Sequence, residues 1–316
     1  MTPSHSMPTP PTPDELLQGA LDLVEQYGSG HAAFRALGRK GLPCAKTTLD
    51  DRARKARIKG MRPKVRIDAP RIYTRERLGR MHMVIPDTQV RPGVNTDHME
   101  WAGNFANEKR PDVIVHIGDH FDMPSLSLYD KGKIGFEGRR YVNDIKAGRD
   151  AMERFVSRLQ YKPRMVFCLG NHEMRIQRVV DLNAEYQGKF DLEDMGLREY
   201  GWEVVSYLKP IEIDGIKYCH FFTSGVMGRP VSSAAVLLRE QQQSATMGHV
   251  QSSDLAMHKK TQQRALFCGT FYSHNEDYLG WQGNNQRRQI ICKHEVMEGR
   301  YDLMEVSLAF LGKAYS

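Results

Sequence analysis

Three short apolar runs in the middle of this chain each stop on residues that can bind a cation, and that repeated ending limits the fold more than any other feature. Residues 82–86, 113–117 and 165–169 have no helical period and read as strands buried on both faces. Helical stretches near 97–109 and 144–159 separate them, which predicts a βαβαβ order in an α/β fold. Beyond Gly201 strands predominate, at 203–208, 211–213, 217–222 and 265–271. A last pair, 289–296 and 301–308, joins as a hairpin through a turn containing Gly299.

The first run leads into Asp87-Thr88-Gln89, the second into Gly118-Asp119-His120-Phe121-Asp122 and the third into Gly170-Asn171-His172-Glu173. Later, Tyr218-Cys219 leads to His220, and Thr246-Met247 leads to Gly248-His249-Val250-Gln251. Carboxylates, imidazoles and amides at the carboxyl ends of strands fall along one rim of a sheet, where open α/β folds place their sites. One rim can therefore hold two cations. Singly each motif is weak, because a Gly-Asp pair or a strand-end histidine is more often a turn or a satisfied polar group. Order and spacing together carry the signal.

The first quarter has a different texture. Thr12-Pro13-Asp14-Glu15 is a helix start with a capping box, and Leu17, Ala20, Leu21, Val24 and Tyr27 follow at helical spacing until Gly28. A second helix over 31–37, a turn through 39–43 and a third helix over 45–58 complete a small all-α module that resembles a helix-turn-helix domain. Lys46, Thr47, Thr48, Arg52, Arg54, Lys55 and Arg57 of the third helix are its candidate DNA contacts. A helical bundle with a solvated basic face is the alternative. Residues 1–80 hold 16 Lys/Arg against 8 Asp/Glu, a balance of +8, whereas residues 81–316 hold 29 against 30, a balance of −1. A basic segment ahead of a neutral domain points to a polyanionic partner, DNA above all. The expected order is a disordered tail (1–12), the helical module (13–60), a basic linker (61–80) and the α/β domain (81–316).

No apolar stretch approaches the roughly 18 residues that cross a bilayer, and the Pro/Thr-rich start lacks the cationic and apolar regions of a secretory signal. The 5 cysteines are scattered and never paired as CxxC, as expected of buried free thiols in the cytoplasm.

Taken in order, DxQ, GDxxD, GNHE, a lone His and GHxQ resemble the five motifs of the calcineurin-like metallophosphoesterases. Over about residues 81–310, runs such as PDTQV, IGDHFDMPSLSLYDKG, FEGRRY, GNHEMRI and YDLMEVSL are similar to the branch common in tailed bacteriophages. The resemblance implies an αββα sandwich with a dinuclear centre. Asp119 would bridge two cations, with Asp87, Gln89 and Gln251 at the first and Asn171, His220 and His249 at the second. His172 would protonate the leaving oxygen, oriented by Glu173 or Asp122.

Gln89 and Gln251 stand where the family more often has histidine, so the first site would offer only oxygen donors. That favours hard cations, Mn²⁺ or Mg²⁺, over zinc or iron. A decayed first site is the alternative, opposed by the joint presence of Asp87, Asp119, Asn171, His172, His220 and His249. Two aromatic and basic segments are candidate substrate readers: 125–144, with Arg139 and Arg140, and the cluster of Tyr272, His274, Tyr278 and Trp281. Loops that pack their own aromatics are the alternative for both. The expected function is a metal-dependent phosphodiesterase acting on nucleic acid. A phosphatase acting on a small substrate and a non-enzymatic DNA-binding protein with a relic fold are the rivals.

Overall fold

The computed structural model describes residues 11–27, 29–37, 46–61, 79–276 and 280–316. The expected tail lies almost wholly outside the described residues, as do the turn at 39–43, nearly all of the linker, Tyr278 and the side chains of Lys46, Thr47 and Trp281. The chain divides into two compact units, residues 1–76 and 77–316.

The first unit holds α1 (Pro13–Tyr27), α2 (Gly30–Leu37) and α3 (Lys46–Ile58). Its start is the capping box: Glu15 Oε2 accepts from the Thr12 amide at 2.7 Å, and Thr12 Oγ1 accepts from the Glu15 amide at 3.3 Å. Ala20, Leu21 and Val24 of α1 bury against Leu49, Ala53 and Ala56 of α3. Asp50 accepts from the Gly30 amide at 2.8 Å, tying the start of α2 to α3. The polar side of α3 presents Arg54, Lys55 and Arg57 to solvent, while Thr48 and Arg52 are half-buried. Arg57 pairs with Glu25 at 2.8 Å and Arg54 lies 3.5 Å from Asp51.

The second unit runs β1 (Arg80–Ile85), α4 (Asp97–Lys109), β2 (Val113–His116), α5 (Tyr141–Val156), β3 (Arg164–Cys168), α6 (Arg175–Leu182) and β4 (Glu203–Val205). Next come β5 (Ile211–Ile213), β6 (Ile216–Tyr218), β7 (Thr223–Ser224), β8 (Arg229–Pro230), α7 (Ala234–Gln241), β9 (Ser244–Met247), β10 (Ser253–Met257) and β11 (Arg264–Cys268). The short α8 (Gly280–Gly283), the hairpin β12 (Gln289–Met297) and β13 (Arg300–Ser307), and α9 (Leu308–Tyr315) close the chain. The largest sheet has the order β13-β12-β1-β2-β3-β4, parallel from β1 to β4; a second sheet has the order β10-β11-β9-β6-β5, and β7 and β8 form a two-stranded ribbon.

Strand alternation sets the layers. Met81, Met83 and Ile85 face Phe105, Met152 and Phe155 of α4 and α5, while Val84 and Val115 face Tyr218 and Leu266 of the second sheet. The outer face of that second sheet packs Ala245 and Phe267 on Ala234 and Leu237 of α7. The strand expected over 217–222 ends at Tyr218, although the Cys219 amide still donates to the Thr246 carbonyl at 3.3 Å and the His220 carbonyl accepts from the Gly248 amide at 2.9 Å. Four cysteines are described, and all four are buried and free. Among the described residues no helix is long and apolar enough to cross a membrane.

Helix α5 closely approaches the loop after β2 at Gly148, where an added Cβ would lie 2.1 Å from Phe121 Cδ1. Gly148→Ala gains about 1 kcal/mol of helix propensity, but overpacking a rigid aromatic costs about 1–3 kcal/mol. Net destabilisation is expected in guanidinium denaturation; a variant more stable than wild type would contradict this packing.

Candidate metal centre

The loops that follow β1, β2, β3, β6 and β9 meet at one rim. Asp119 Oδ2 lies 3.3 Å from His220 Nε2, which lies 3.0 Å from Asn171 Oδ1. His249 Nδ1 is 2.7 Å from that same amide oxygen, and the His249 amide donates to both oxygens of Asp87 at 3.1 and 3.2 Å. One donor atom each from Asp119, His220 and His249 falls within 4.8 Å of the others. His220 donates Nδ1–H to the Ile117 carbonyl at 2.9 Å, which turns Nε2 towards the carboxylate, as metal-binding imidazoles are held.

Gln89 is buried, and neither its amide nitrogen nor its oxygen has a hydrogen-bond partner. A buried unpaired amide costs about 1–3 kcal/mol, which a cation or its water would relieve. The donor set and this orphaned amide therefore fit divalent cations. Gln251 is steered differently, its Oε1 accepting from Tyr272 OH at 3.1 Å. Gln89, Asp119, His249 and Gln251 all have left-handed backbones, with φ of 40, 50, 64 and 60°. Strain of this kind persists only where packing imposes it. Gly170 shows how: an added Cβ there would lie 2.2 Å from Asp119 Oδ1.

His172 stands beside this group. Its amide donates to Asp119 Oδ1 at 2.9 Å, and its ring Nδ1 lies 2.8 Å from Asp122 Oδ1. Burial works against the imidazolium, yet the carboxylates of Asp119 and Asp122 raise its pKa above the ordinary histidine value. Of the two carboxylates expected to orient His172, Asp122 is the one that touches the ring. Glu173 is turned away: its Oε1 accepts from the amides of His120 and Phe121 at 2.7 and 2.9 Å, and its Oε2 from those of Asp119 and Gly170 at 3.0 and 2.8 Å. A carboxylate beside four amide donors of two loops outcompetes a single imidazole.

Sequence reasoning passed over Arg91 and Arg175, although each follows a motif within a few residues. Arg175 Nη2 lies 3.3 Å from His172 Nε2 and its Nη1 donates to the Asp122 carbonyl at 2.7 Å. Arg91 lies 3.2 Å from Asp122 and 2.6 Å from Glu276. The expected substrate readers fare less well. Tyr272 is fully buried with its ring stacked on His274 at 4.6 Å, so it packs the domain instead of offering a face to a base. His274 pairs with Glu276 at 2.7 Å, Arg139 pairs with Asp130 at 3.0 Å in its own loop, and Arg140 donates to the neighbouring Arg139 carbonyl.

A second layer of imidazoles lies under the rim, and its tautomers follow from its partners. His116 Nδ1 accepts from the Gly118 amide, its Nε2–H reaches Thr88 Oγ1, that hydroxyl donates to His120 Nδ1, and His120 Nε2–H donates to the Gly148 carbonyl. Burial lowers both pKa values, that of His120 to about 4, so this layer stays neutral.

Two predictions follow from the electrostatics. Burial raises Asp87 to about 7, with Asp119 adding and His220 opposing; burial opposes the His220 imidazolium, but Asp119 raises it to about 9. Both groups hold protons near neutrality that a cation must displace. Mn²⁺ affinity should therefore climb as pH rises from about 7 to about 9 and level off above, with proton release seen by calorimetry in buffers of different ionisation enthalpy. A pH-independent affinity would contradict these shifts. Separately, Glu173→Ala leaves four buried amides unpaired and should cost about 3 kcal/mol or more in urea denaturation; a loss below about 1 kcal/mol would show that the clamp is dispensable.

The family model for calcineurin-like phosphoesterases matches residues 82–294, about two thirds of the chain. The gene 54 protein of Mycobacterium phage D29 is 29% identical over 120 residues, which is 36% of this chain and 45% of that protein, so less than half of the relative is matched. Among solved structures, a Vps29 double mutant from Entamoeba histolytica has a TM-score of 0.34 at 11% identity, covering 72% of this chain and 98% of that one. A predicted phosphoesterase from Streptococcus pneumoniae TIGR4 has a TM-score of 0.30 at 12% identity, covering 72% of this chain and 97% of that one. The span of the family match takes in every rim residue from Asp87 to Gln251, and on that match the chain belongs to the calcineurin-like phosphoesterase family.

Proposed function

We propose that the protein hydrolyses phosphodiester bonds in nucleic acid, with the three N-terminal helices acting as a helix-turn-helix-like module that holds DNA. The observation that carries the hydrolytic part is the His172–Asp122 pair beside the buried Asp119, His220 and His249. Asn171, His220 and His249 would hold one cation, Asp87, Gln89 and Gln251 the other, with Asp119 shared. The oxygen-only donors of the second group suit Mn²⁺ or Mg²⁺. Bound there, two cations would activate water and neutralise phosphate charge during in-line displacement.

The chain's own groups handle the proton. With Nδ1–H directed at Asp122, Nε2 is the ring position left to face the leaving oxygen, and although burial works against the charge, Asp119 and Asp122 raise the ring's pKa in favour of the protonated form. That proton goes to the leaving oxygen, after which the ring is neutral and still oriented by Asp122. Arg175, within 3.3 Å of Nε2, keeps a positive charge where the phosphoryl group would sit.

Support for nucleic acid comes from the +8 balance of residues 1–80 and from the exposed Arg54, Lys55 and Arg57 on α3. A small phosphoester or nucleotide is the second reading, favoured by one observation: Tyr272 is buried and Arg139 is paired, so neither offers itself to a base or phosphate.

His172→Ala should lower turnover of a small chromogenic phosphodiester by about 10²–10⁴ with unchanged metal content; loss of metal in that variant would make His172 a ligand instead. Replacing Arg54, Lys55 and Arg57 together by alanine should weaken DNA binding and flatten its salt dependence by roughly 0.9 log units per lost phosphate contact, while small-ester hydrolysis is unchanged. Equal DNA affinity at every salt concentration would remove the DNA-holding role and favour the small substrate.

A further inference from the structure

The proposed proton donor is held from a segment far beyond its own loop. Asp122 accepts through Oδ1 from His172 Nδ1 at 2.8 Å, and its other oxygen, Oδ2, accepts from Arg91 Nη1 at 3.2 Å. The same Arg91 nitrogen lies 2.6 Å from Glu276 Oε1. One guanidinium thus joins two carboxylates, of which Asp122 is 8% exposed and Glu276 5%.

Glu276 is itself anchored. Its amide donates to Asn284 Oδ1 at 2.7 Å, and Asn284 returns Nδ2–H to the Glu276 carbonyl at 2.9 Å. Arg288 donates to the Ser273 carbonyl at 2.8 Å and to Asn275 Oδ1 at 2.6 Å, which fixes the chain leading to Glu276. A carboxylate that holds an imidazole through one oxygen can still swing about its side-chain bond. An arginine on the second oxygen stops that swing only if the arginine is fixed too, because its long side chain otherwise keeps its rotamer freedom.

We infer that Glu276 is a positioning residue for His172, acting through Arg91 and Asp122; the inference rests on the role proposed for His172. Glu276 touches neither the His172 ring nor any candidate ligand; its Oε1 holds Arg91 at 2.6 Å and His274 Nε2 at 2.7 Å. It locks Arg91 against Asp122 Oδ2, so that Oδ1 stays on Nδ1 and Nε2 keeps its aim at the leaving oxygen. Partners at this remove usually change activity on the order of 10–100-fold.

The test uses the full-length protein with Mn²⁺. Glu276→Gln keeps shape and removes charge, and it should lower kcat on a small phosphodiester on the order of 10–100-fold with KM and metal content as in wild type. In an Asp122→Asn background the same change should cost less than about twofold, because the group it acts through is gone. A second readout needs no turnover: the downfield Nδ1–H signal of His172 in proton NMR should shift or vanish in Glu276→Gln. If that variant folds poorly, Arg91→Lys, which keeps the charge and loses the fork, should reproduce both effects. Unchanged kcat with an unmoved signal, or an equal loss in both backgrounds, would overturn the inference. An inactive wild type whose signal still shifts on Glu276→Gln would sink the proposed reaction and leave the positioning role standing.

Discussion

One buried carboxylate holds the rim together. Glu173 accepts hydrogen bonds from four backbone amides, three on the loop after β2 and one on the loop after β3. Those loops carry Asp119 and Asp122 on one side and Asn171 and His172 on the other, so the clamp sets the distance between the candidate ligands and the candidate acid. Burial and the nearby Asp119 raise the pKa of Glu173, and the amides oppose that shift. An anion satisfied by amide dipoles leaves the histidines free to face Asp119 instead.

The charge pattern explains why a cation belongs there. Asp87, Asp119 and Glu173 are all buried within one group of loops, and burial by itself disfavours every one of their charges. His220 and His172 hold Asp119 well below the usual carboxylate range, whereas burial and the charge on His220 push His249 down to about 4. Protons thus stand in part for the positive charge that the site is built to receive.

Much of this was legible in the sequence, for reasons that can be named. Helix α4 covers the expected 97–109 because Met99, Ala102, Phe105 and Ala106 bury at helical spacing. The capping box at Thr12 is local chemistry, readable from four residues. Strand β9 was legible only at its end, Thr246-Met247, because its alternate positions, Ser244 and Thr246, are polar yet fully buried, one donating to the Gly299 carbonyl and the other bonded to Lys293. The role of Glu173 was misread because adjacency to His172 in sequence places its side chain on the opposite side of the loop. Arg91 and Glu276 lie 185 residues apart, and no pattern within either segment announces their pairing.

The chemistry proposed for this rim depends on two cations that share Asp119. Anomalous diffraction at the manganese edge from Mn²⁺-soaked crystals tests it most directly. The prediction is two peaks flanking the Asp119 carboxylate, one bounded by Asn171, His220 and His249 and the other by Asp87, Gln89 and Gln251. No peak at the rim, or a single peak away from Asp119, would contradict it.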